Sequence, residues 1–243
     1  MTNLVRDLHP DPSRSDAGAV LVGRWPRRHT PPEAVTTAWA DRPWPEGLIS
    51  VNAYVSTDGE DVLVYEQWAD EPDGPHSPMG AEPVAYRLYR SGFRENAPVP
   101  GCVVIVSVEF VGADRRRQER WVDTVFEALA AETDPHPGGI SGHFHVSLDG
   151  TRVLNYAEWT DEASHQEALD NSGRGTIGSA PEWRRVQEFP GVRESGFRRY
   201  RLHASLTGTD LANTGRAGTD RHSTGLAGVD RNGTGLGGTE GTE

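Results

Sequence analysis

The chain is predicted to be α+β, with two βαββαβ units whose sheets close face to face into one barrel, and a C-terminal tail outside it. Three observations carry this reading. The stretch VSTDGEDVLVYEQW at 55–68 returns as VSLDGTRVLNYAEW at 146–159. The same order of strand and helix signals surrounds each copy. From Gly208 the sequence changes to a ten-residue repeat of GTDLANTGRA, GTDRHSTGLA and GVDRNGTGLG that holds no aromatic residue.

The repeat is extensive. When 47–70 is set against 138–161, twelve of twenty-four positions coincide, among them Gly47, Val55, Asp58, Gly59, Leu63, Tyr65 and Trp68. A shared Tyr-Arg-Leu follows, at 86–88 and 200–202. The chain therefore reads as a tandem duplication: a flexible segment at 1–17, a degenerate first repeat at 18–98, a second repeat at 99–205 and a disordered tail at 206–243. The tail has too little apolar surface to offset the entropy of ordering it.

In the second repeat, the β-branched run Cys102–Phe110 predicts a strand. Asp114 caps a helix in which Trp121, Val125 and Leu129 recur every four residues, and Pro135 and Pro137 end it. Ile140–Ser147 and Arg152–Trp159 form a hairpin about Asp149-Gly150. Thr160 or Asp161 starts a helix through Leu169, a short helical stretch covers Pro181–Gln187, and Phe197–His203 is the last strand. This is the ferredoxin-like order. The first repeat shows strand 19–25, helix 31–40, hairpin 48–68 and strand 84–90. Its second helix is eroded, because EPDGPHSPMGAEP holds too many Pro and Gly.

Composition narrows the function. The net charge of −12 disfavours nucleic acid. No apolar run reaches the ~18 residues of a membrane span, and the N-terminus has no apolar centre of the secretory type, so a cytoplasmic protein is expected. All 24 basic residues are Arg. A chain without lysine forms no lysine Schiff base and has no P-loop lysine. The single Cys102 gives no internal disulfide and no CxxC pair. Gly173-Arg-Gly-Thr-Ile-Gly178 fits GxGxxG, but a helix and not a strand precedes it, so it reads as a loop. Arg115-Arg116-Arg117 reads as a solvated helix face.

The hairpin faces place a site. Ile140, Phe144 and Val146 alternate with Ser141, His143, His145 and Ser147. A three-residue loop would set His143 across from Asn155, put Trp159 on their face and send Leu154 and Tyr156 under the helices; a two-residue loop would exchange the faces. In the favoured register the barrel interior is lined by Ser141, His143, His145, Asn155 and Trp159, and by Asn52, Tyr54, Glu66 and Trp68 from the first repeat. His165 would reach the pocket mouth from its helix. This is the inventory of a small-molecule pocket.

The run H-x-S-x-D-G-x-x-V-x-N-Y-x-x-W, His145 to Trp159, resembles the hairpin of the antibiotic biosynthesis monooxygenase family. The resemblance covers the second repeat well and the first in part; Val64 stands where the second repeat has Asn155. It implies a dimeric α+β barrel and oxidation of anthrone-type polyketides by O₂ with an Asn and a Trp spaced like Asn155 and Trp159. It implies no metal or flavin, although related oxygenases use reduced flavin and more distant relatives degrade haem. An electron-rich phenol or anthrone, once deprotonated, reduces O₂ itself, so the protein must take a proton, hold the anion and exclude water. Asn155 would bond the oxyanion, Trp159 would stack on the ring and His143 or His145 would be the base. A His143-x-His145 metal site lacks an obvious third ligand. A barrel that binds a ligand or serves a stress response without turnover, and a haem-degrading monooxygenase, are the rival readings. The chain would act as a monomeric pseudo-dimer or as a homodimer.

Overall fold

The computed structural model describes residues 2–5, 8–73, 83–173 and 175–208. The first half supplies β1 (Thr2–Val5), β2 (Ala19–Pro26), α1 (Pro32–Ala40), β3 (Leu48–Ser56), β4 (Asp61–Trp68) and β5 (Val84–Phe93). The second supplies β6 (Cys102–Phe110), α2 (Arg115–Ala131), β7 (Gly139–Ser147), β8 (Arg152–Trp159), α3 (Glu162–Ser172), α4 (Trp183–Gln187) and β9 (Val192–Gly208). The helix starts follow local chemistry. The Asp114 carboxylate accepts from the Arg117 N–H at 3.0 Å, and that of Asp161 from Ser164 N–H at 2.7 Å. Pro32 fills the first turn of α1, where a missing N–H costs no bond. Gly59 and Gly150 turn the two hairpins at φ 76° and 77°, where a side chain would be strained.

The strands form one sheet in the order β1-β9-β3-β4-β2-β5-β7-β8-β6, and a β6–β9 pairing closes it into an eight-stranded barrel. Within each half the order is that of a ferredoxin-like unit, β3-β4-β2-β5 and β7-β8-β6-β9. The halves are joined by β5 on β7 and by β9 on β3. β9 is longer than the Phe197–His203 strand expected, because it pairs with β6 through Tyr200 and then with β3 through Thr207. It runs past the expected tail boundary to Gly208; the rest of the tail lies outside the described residues. So do residues 74–82, most of the stretch expected to have lost its helix. The segment read as flexible is tied down instead. β1 pairs with β9, and the Leu8 and Asp11 carbonyls accept from Ser205 Oγ at 2.6 Å and Gln67 Nε2 at 2.7 Å.

Each half has an outer layer between sheet and helices. Val35 and Trp39 of α1 pack on Val51, Val62, Val64 and Trp68. Trp121, Val122 and Val125 of α2 pack on Val108, Phe144, Val146 and Val153. Ala168 of α3 packs with Val104, Ala157 and Trp159. Gln118 of α2, fully buried, donates to the Arg152 carbonyl at 2.5 Å and to Ser147 Oγ at 3.0 Å, fastening the helix to the hairpin.

The barrel interior corrects the expected register. Val146 pairs with Val153 and His143 with Tyr156, across a four-residue loop at 148–151. An even loop exchanges the faces relative to the three-residue loop expected. Leu154 and Tyr156 therefore point into the barrel, with Tyr54, Leu63, Tyr65 and Tyr200, and not under the helices. Asn155 and Trp159 point out of the barrel into the α2/α3 layer. The first half behaves alike: Asn52 and Tyr54 face inward, whereas Glu66 and Trp68 lie in the α1 layer, where Trp68 Nε1 donates to Glu66 at 3.1 Å. Burial there pushes the Glu66 carboxyl up to about 7, against the Trp68 hydrogen bond.

Inside, polar groups bond to one another. Tyr54 and Tyr156 hydroxyls are 2.8 Å apart. Asn52 Nδ2 donates to Ser50 Oγ at 2.9 Å, and Ser50 Oγ to Gln67 at 2.8 Å. In the second half Ser141 Oγ donates to Glu158 at 2.6 Å, and His143 Nδ1 is 2.9 Å from Ser91 Oγ. His145 Nδ1 lies 2.9 Å from the His143 carbonyl and so carries the proton; its Nε2 accepts from the Tyr65 hydroxyl at 3.1 Å. An eight-stranded barrel is just wide enough for side chains to fill it.

Two outcomes follow from this packing. Gln118→Ala leaves buried carbonyls unpaired and lowers unfolding free energy by about 2 kcal/mol in urea. Burial drives His145 down to about 4 from 6.5, so the folded state keeps it neutral. The unfolded chain takes up a proton first as pH falls, so this contribution is whole above pH 6.5 and is lost between 6.5 and 4. Urea midpoints measured down that range fall more steeply for the wild type than for His145→Gln, by up to about 3 kcal/mol at pH 4. Parallel curves would show that His145 is not held neutral.

Candidate active site between the sheet and helices α2 and α3

The predicted site residues divide between two layers. Ser141, His143, His145, Asn52 and Tyr54 are interior. Asn155, Trp159 and His165 share the outer layer of the second half, and Glu66 and Trp68 that of the first. The sheet thus separates the two histidines proposed as bases from the Asn–Trp pair. His143 is 3 % exposed and His145 is fully buried, each in the interior network.

On the outer face of β8, Asn155, Ala157 and Trp159 follow at every second residue, so Asn155 and Trp159 stand about 13 Å apart along the strand. Across the sheet, Gly92 of β5 pairs with Gly142 of β7, Gly142 with Ala157, and Ala157 with Val104 of β6. A row of small residues therefore lies between the two large side chains, with the Phe126 ring over Gly92 and with Ala168 and Ile177 packed on Ala157 and Val104. Phe144 and Phe126, with ring centroids 5.3 Å apart, wall its Asn155 end. The Asn155 Oδ1 is buried and has no hydrogen-bond partner among the described residues. A Cβ built on Gly142 would stand 3.4 Å from that oxygen, so the amide is aimed over the glycine. A buried amide oxygen left unpaired costs about 1–3 kcal/mol, which a ligand donor would recover. A half-turn of the amide would present N–H groups at the same place.

At the other end Trp159 is 3 % exposed. The His165 ring meets it edge-on, with centroids 4.9 Å apart, and His136 stands 6.0 Å away on the opposite loop. Arg199 Nε donates to His165 Nδ1 at 2.9 Å, so the His165 proton sits on Nε2. Burial first, then the Arg199 charge, pushes this imidazole down to about 4. His136 Nδ1 accepts from the Gly138 N–H at 3.1 Å, which leaves its Nε2–H toward Glu167 at 3.4 Å. Both imidazoles beside Trp159 are thus donors. A cavity of about 500 Å³ opens here between the α2–β7 loop and α3, with His136, Gly138, Thr160, Ser164, Ala168 and Ile177 in its wall. Ala168 and Ile177 also belong to the apolar cluster around Trp159. Among the described residues, no three His, Cys, Asp or Glu side chains converge as a metal site requires.

Sequence reasoning missed His136, Arg199 and the two glycines. His136 sits among prolines that read only as a helix stop. Gly92 and Gly142 are depleted residue types in strands, which was a readable signal.

No family model matches the chain. It is 34% identical over 67 residues to the tetracenomycin-F1 monooxygenase of Streptomyces glaucescens; the match spans 28% of this chain and 58% of that protein. A solved structure described as an anthrone oxidase-like protein superposes with a TM-score of 0.60 at 16% identity, over 81% of this chain and 96% of that one. At that identity the superposition speaks to the fold, and it is the barrel found here. The chain thus matches a little over half the length of that monooxygenase in sequence, and shares its fold with the anthrone oxidase-like protein.

Proposed function

We propose that the chain is a monooxygenase that oxidises an electron-rich phenol- or anthrone-type aromatic with O₂ in the layer between the sheet and helices α2 and α3, where Asn155 and Trp159 lie. The observation that carries the reading is the buried Asn155 Oδ1, without a hydrogen-bond partner among the described residues and aimed over Gly142 on the same strand face as Trp159. The names of the two relatives, a monooxygenase and an anthrone oxidase-like protein, support the reaction class.

The chemistry suits those groups. An anthrone-type CH₂ loses a proton, and the negative charge moves to the ring oxygen. The Asn155 amide N–H donates to that oxyanion in a site shielded from water, where one such donor is worth about 100-fold in rate. Trp159 stacks on the ring and holds it flat. The carbanion gives one electron to O₂, the two radicals couple to form a C–O bond, and the hydroperoxide loses water to leave a C=O. The sum is ArCH₂ + O₂ → ArC=O + H₂O, and it balances without a further reductant. His145, His165 and His136 each have one ring nitrogen already accepting a hydrogen bond, so none offers a free lone pair. The substrate proton passes instead to water at the cavity mouth, and His165 and His136 serve as N–H donors beside Trp159.

Oxygen uptake on a model anthrone tests this with the full chain, without and with reduced flavin. The wild type exceeds the buffer rate without addition. Asn155→Ala lowers kcat/KM about 100-fold, and Trp159→Phe raises KM with a smaller effect on kcat. His143→Gln keeps the wild-type dependence on pH. Uptake equal in wild type, Asn155→Ala and Trp159→Phe would place the reaction elsewhere. Ligand binding without uptake under either condition would make the chain a binding barrel.

A further inference from the structure

The two halves differ at one buried acid. Each repeat has a residue two places before its tryptophan, on the helix-covered face of the sheet. The second half has Ala157 there and the first has Glu66. The fold therefore does not require a carboxyl at this point. Glu66 is 2 % exposed, as buried as Trp68. Its neighbours across the sheet are Leu21 of β2 on one side, and Val51 of β3 and then Leu206 of β9 on the other. Helix α1 closes this apolar layer with Val35 and Trp39. Among the described residues one hydrogen bond reaches the carboxyl, from the Trp68 indole N–H to Oε2 at 3.1 Å.

The charged groups of the surrounding elements are engaged elsewhere. Glu33 of α1 is exposed and lies 4.0 Å from His203 of β9. Asp61 of β4 meets Arg198 of β9 at 2.8 Å and Arg24 of β2 at 3.9 Å. Asp41, at the end of α1, is exposed. The charge that acts on Glu66 is Arg42, just past α1, whose guanidinium stands 5.4 Å from the centre of the Trp39 ring. A protonated carboxyl is tolerable in such a layer, whereas a carboxylate with a single neutral donor is not. Burial accordingly raises Glu66 to about 7, against the Trp68 bond and the Arg42 charge.

We infer that Glu66 is a proton-controlled latch on helix α1: with its proton it packs as part of the layer, and once ionised it drives α1 off the sheet, so that the carboxylate reaches water and Arg42. Helix α1 lies against β1, β3 and β9. Among the described strands β1 pairs with β9 alone, so release of α1 also uncovers the N-terminal strand. The second half has no such latch, because a neutral amide, Gln118, fastens α2. The sign follows from linkage. In the open state Glu66 titrates near its ordinary 4.5, whereas the closed state keeps the proton to about 7. Closure is thus favoured in full below 4.5, weakens as pH rises toward 7 and changes little beyond. The opening equilibrium rises about tenfold between pH 6 and 8. The latch belongs to the first half and stands apart from the reaction proposed for the second.

Hydrogen exchange of the full chain at pH 6, 7 and 8, read by mass spectrometry and corrected for the intrinsic rate at each pH, tests this. In the wild type, protection of residues 32–40 falls about tenfold from pH 6 to 8, while that of 115–131 in α2 stays level as the internal control. Glu66→Gln keeps an oxygen for the Trp68 indole and abolishes the fall. Glu66→Ala, which installs the residue of the second half, does the same and serves where the glutamine variant does not fold. Arg42→Gln moves the fall to higher pH, because the ionised form loses its cation. Equal protection of α1 at pH 6 and 8 in the wild type would overturn the inference, as would the same fall in folded Glu66→Gln or Glu66→Ala.

Discussion

The structure depends on one constraint: every sheet edge must find a partner. A four-stranded ferredoxin-like sheet has two exposed edges and one bare face, and either alone would invite aggregation. This chain satisfies both demands by closing one half on the other. β5 bonds to β2 through Val84–Tyr86 and then to β7 through Tyr86–Phe93. β9 bonds to β6 with its first part and to β3 with its second. Each of these strands therefore belongs to two units at once. The bare faces meet inside as the layer of Tyr54, Tyr65, Tyr156 and Tyr200, with hydroxyls that pair across the pseudo-twofold. A homodimer would need two chains to reach this closure; here both halves belong to one polypeptide, so it does not depend on protein concentration.

Closure has a consequence for chemistry. Its interior is lined with bonded polar groups and tightly packed rings, so the rich inventory of His, Tyr and Glu there serves cohesion. Room for a ligand arises in the outer layer of the second half, in the cavity between the α2–β7 loop and α3. Covalent linkage also frees the halves from being identical. In a homodimer every substitution appears twice, so a site cannot be filled on one side and emptied on the other. Here Val51 and Glu66 stand in one row where its equivalent has Gly142 and Ala157. The first half holds buried Trp25, Trp39 and Trp68 and lends β5 to the second.

Much of this was legible in the sequence, and what was not has definite physical causes. The element boundaries followed from caps and turn residues: Asp114, Asp161 and the two Asp-Gly pairs act locally, and local chemistry is written locally. Asn155 and Trp159, four residues apart on a strand, must share a face whatever the register, so their partnership was readable. Which face was not. Asp149-Gly150 fixes where the hairpin turns but not whether its loop is odd or even, and that parity decides whether His143 faces Asn155 or Tyr156. The apolar pattern gave no help, since both faces of β8 are buried, one by helices and one by the barrel. Strand β1 was illegible for another reason: four residues carry too little periodicity, and its partner β9 lies some two hundred residues away. The Gly92–Gly142 pairing depends on a register between halves with a bulge near Tyr89 that no local signal encodes.

The division of labour between the two sheet faces also bears on how acid affects the molecule. His145 and His165 are both held near 4, one inside the barrel and one against Trp159. Their depression has one leading cause, burial, but different attachments. His145 is fixed by the His143 carbonyl and the Tyr65 hydroxyl, both parts of the core, so charging it would strain the contact between the halves. His165 is fixed by Arg199, a neighbour on β9, and its protonation would set two like charges 2.9 Å apart beside the Trp159 ring. Acid therefore acts on the closure through one imidazole and on the candidate site through the other. Between pH 5 and 8 both remain neutral, so over that range neither adds charge to the barrel interior or to the His165 side of Trp159.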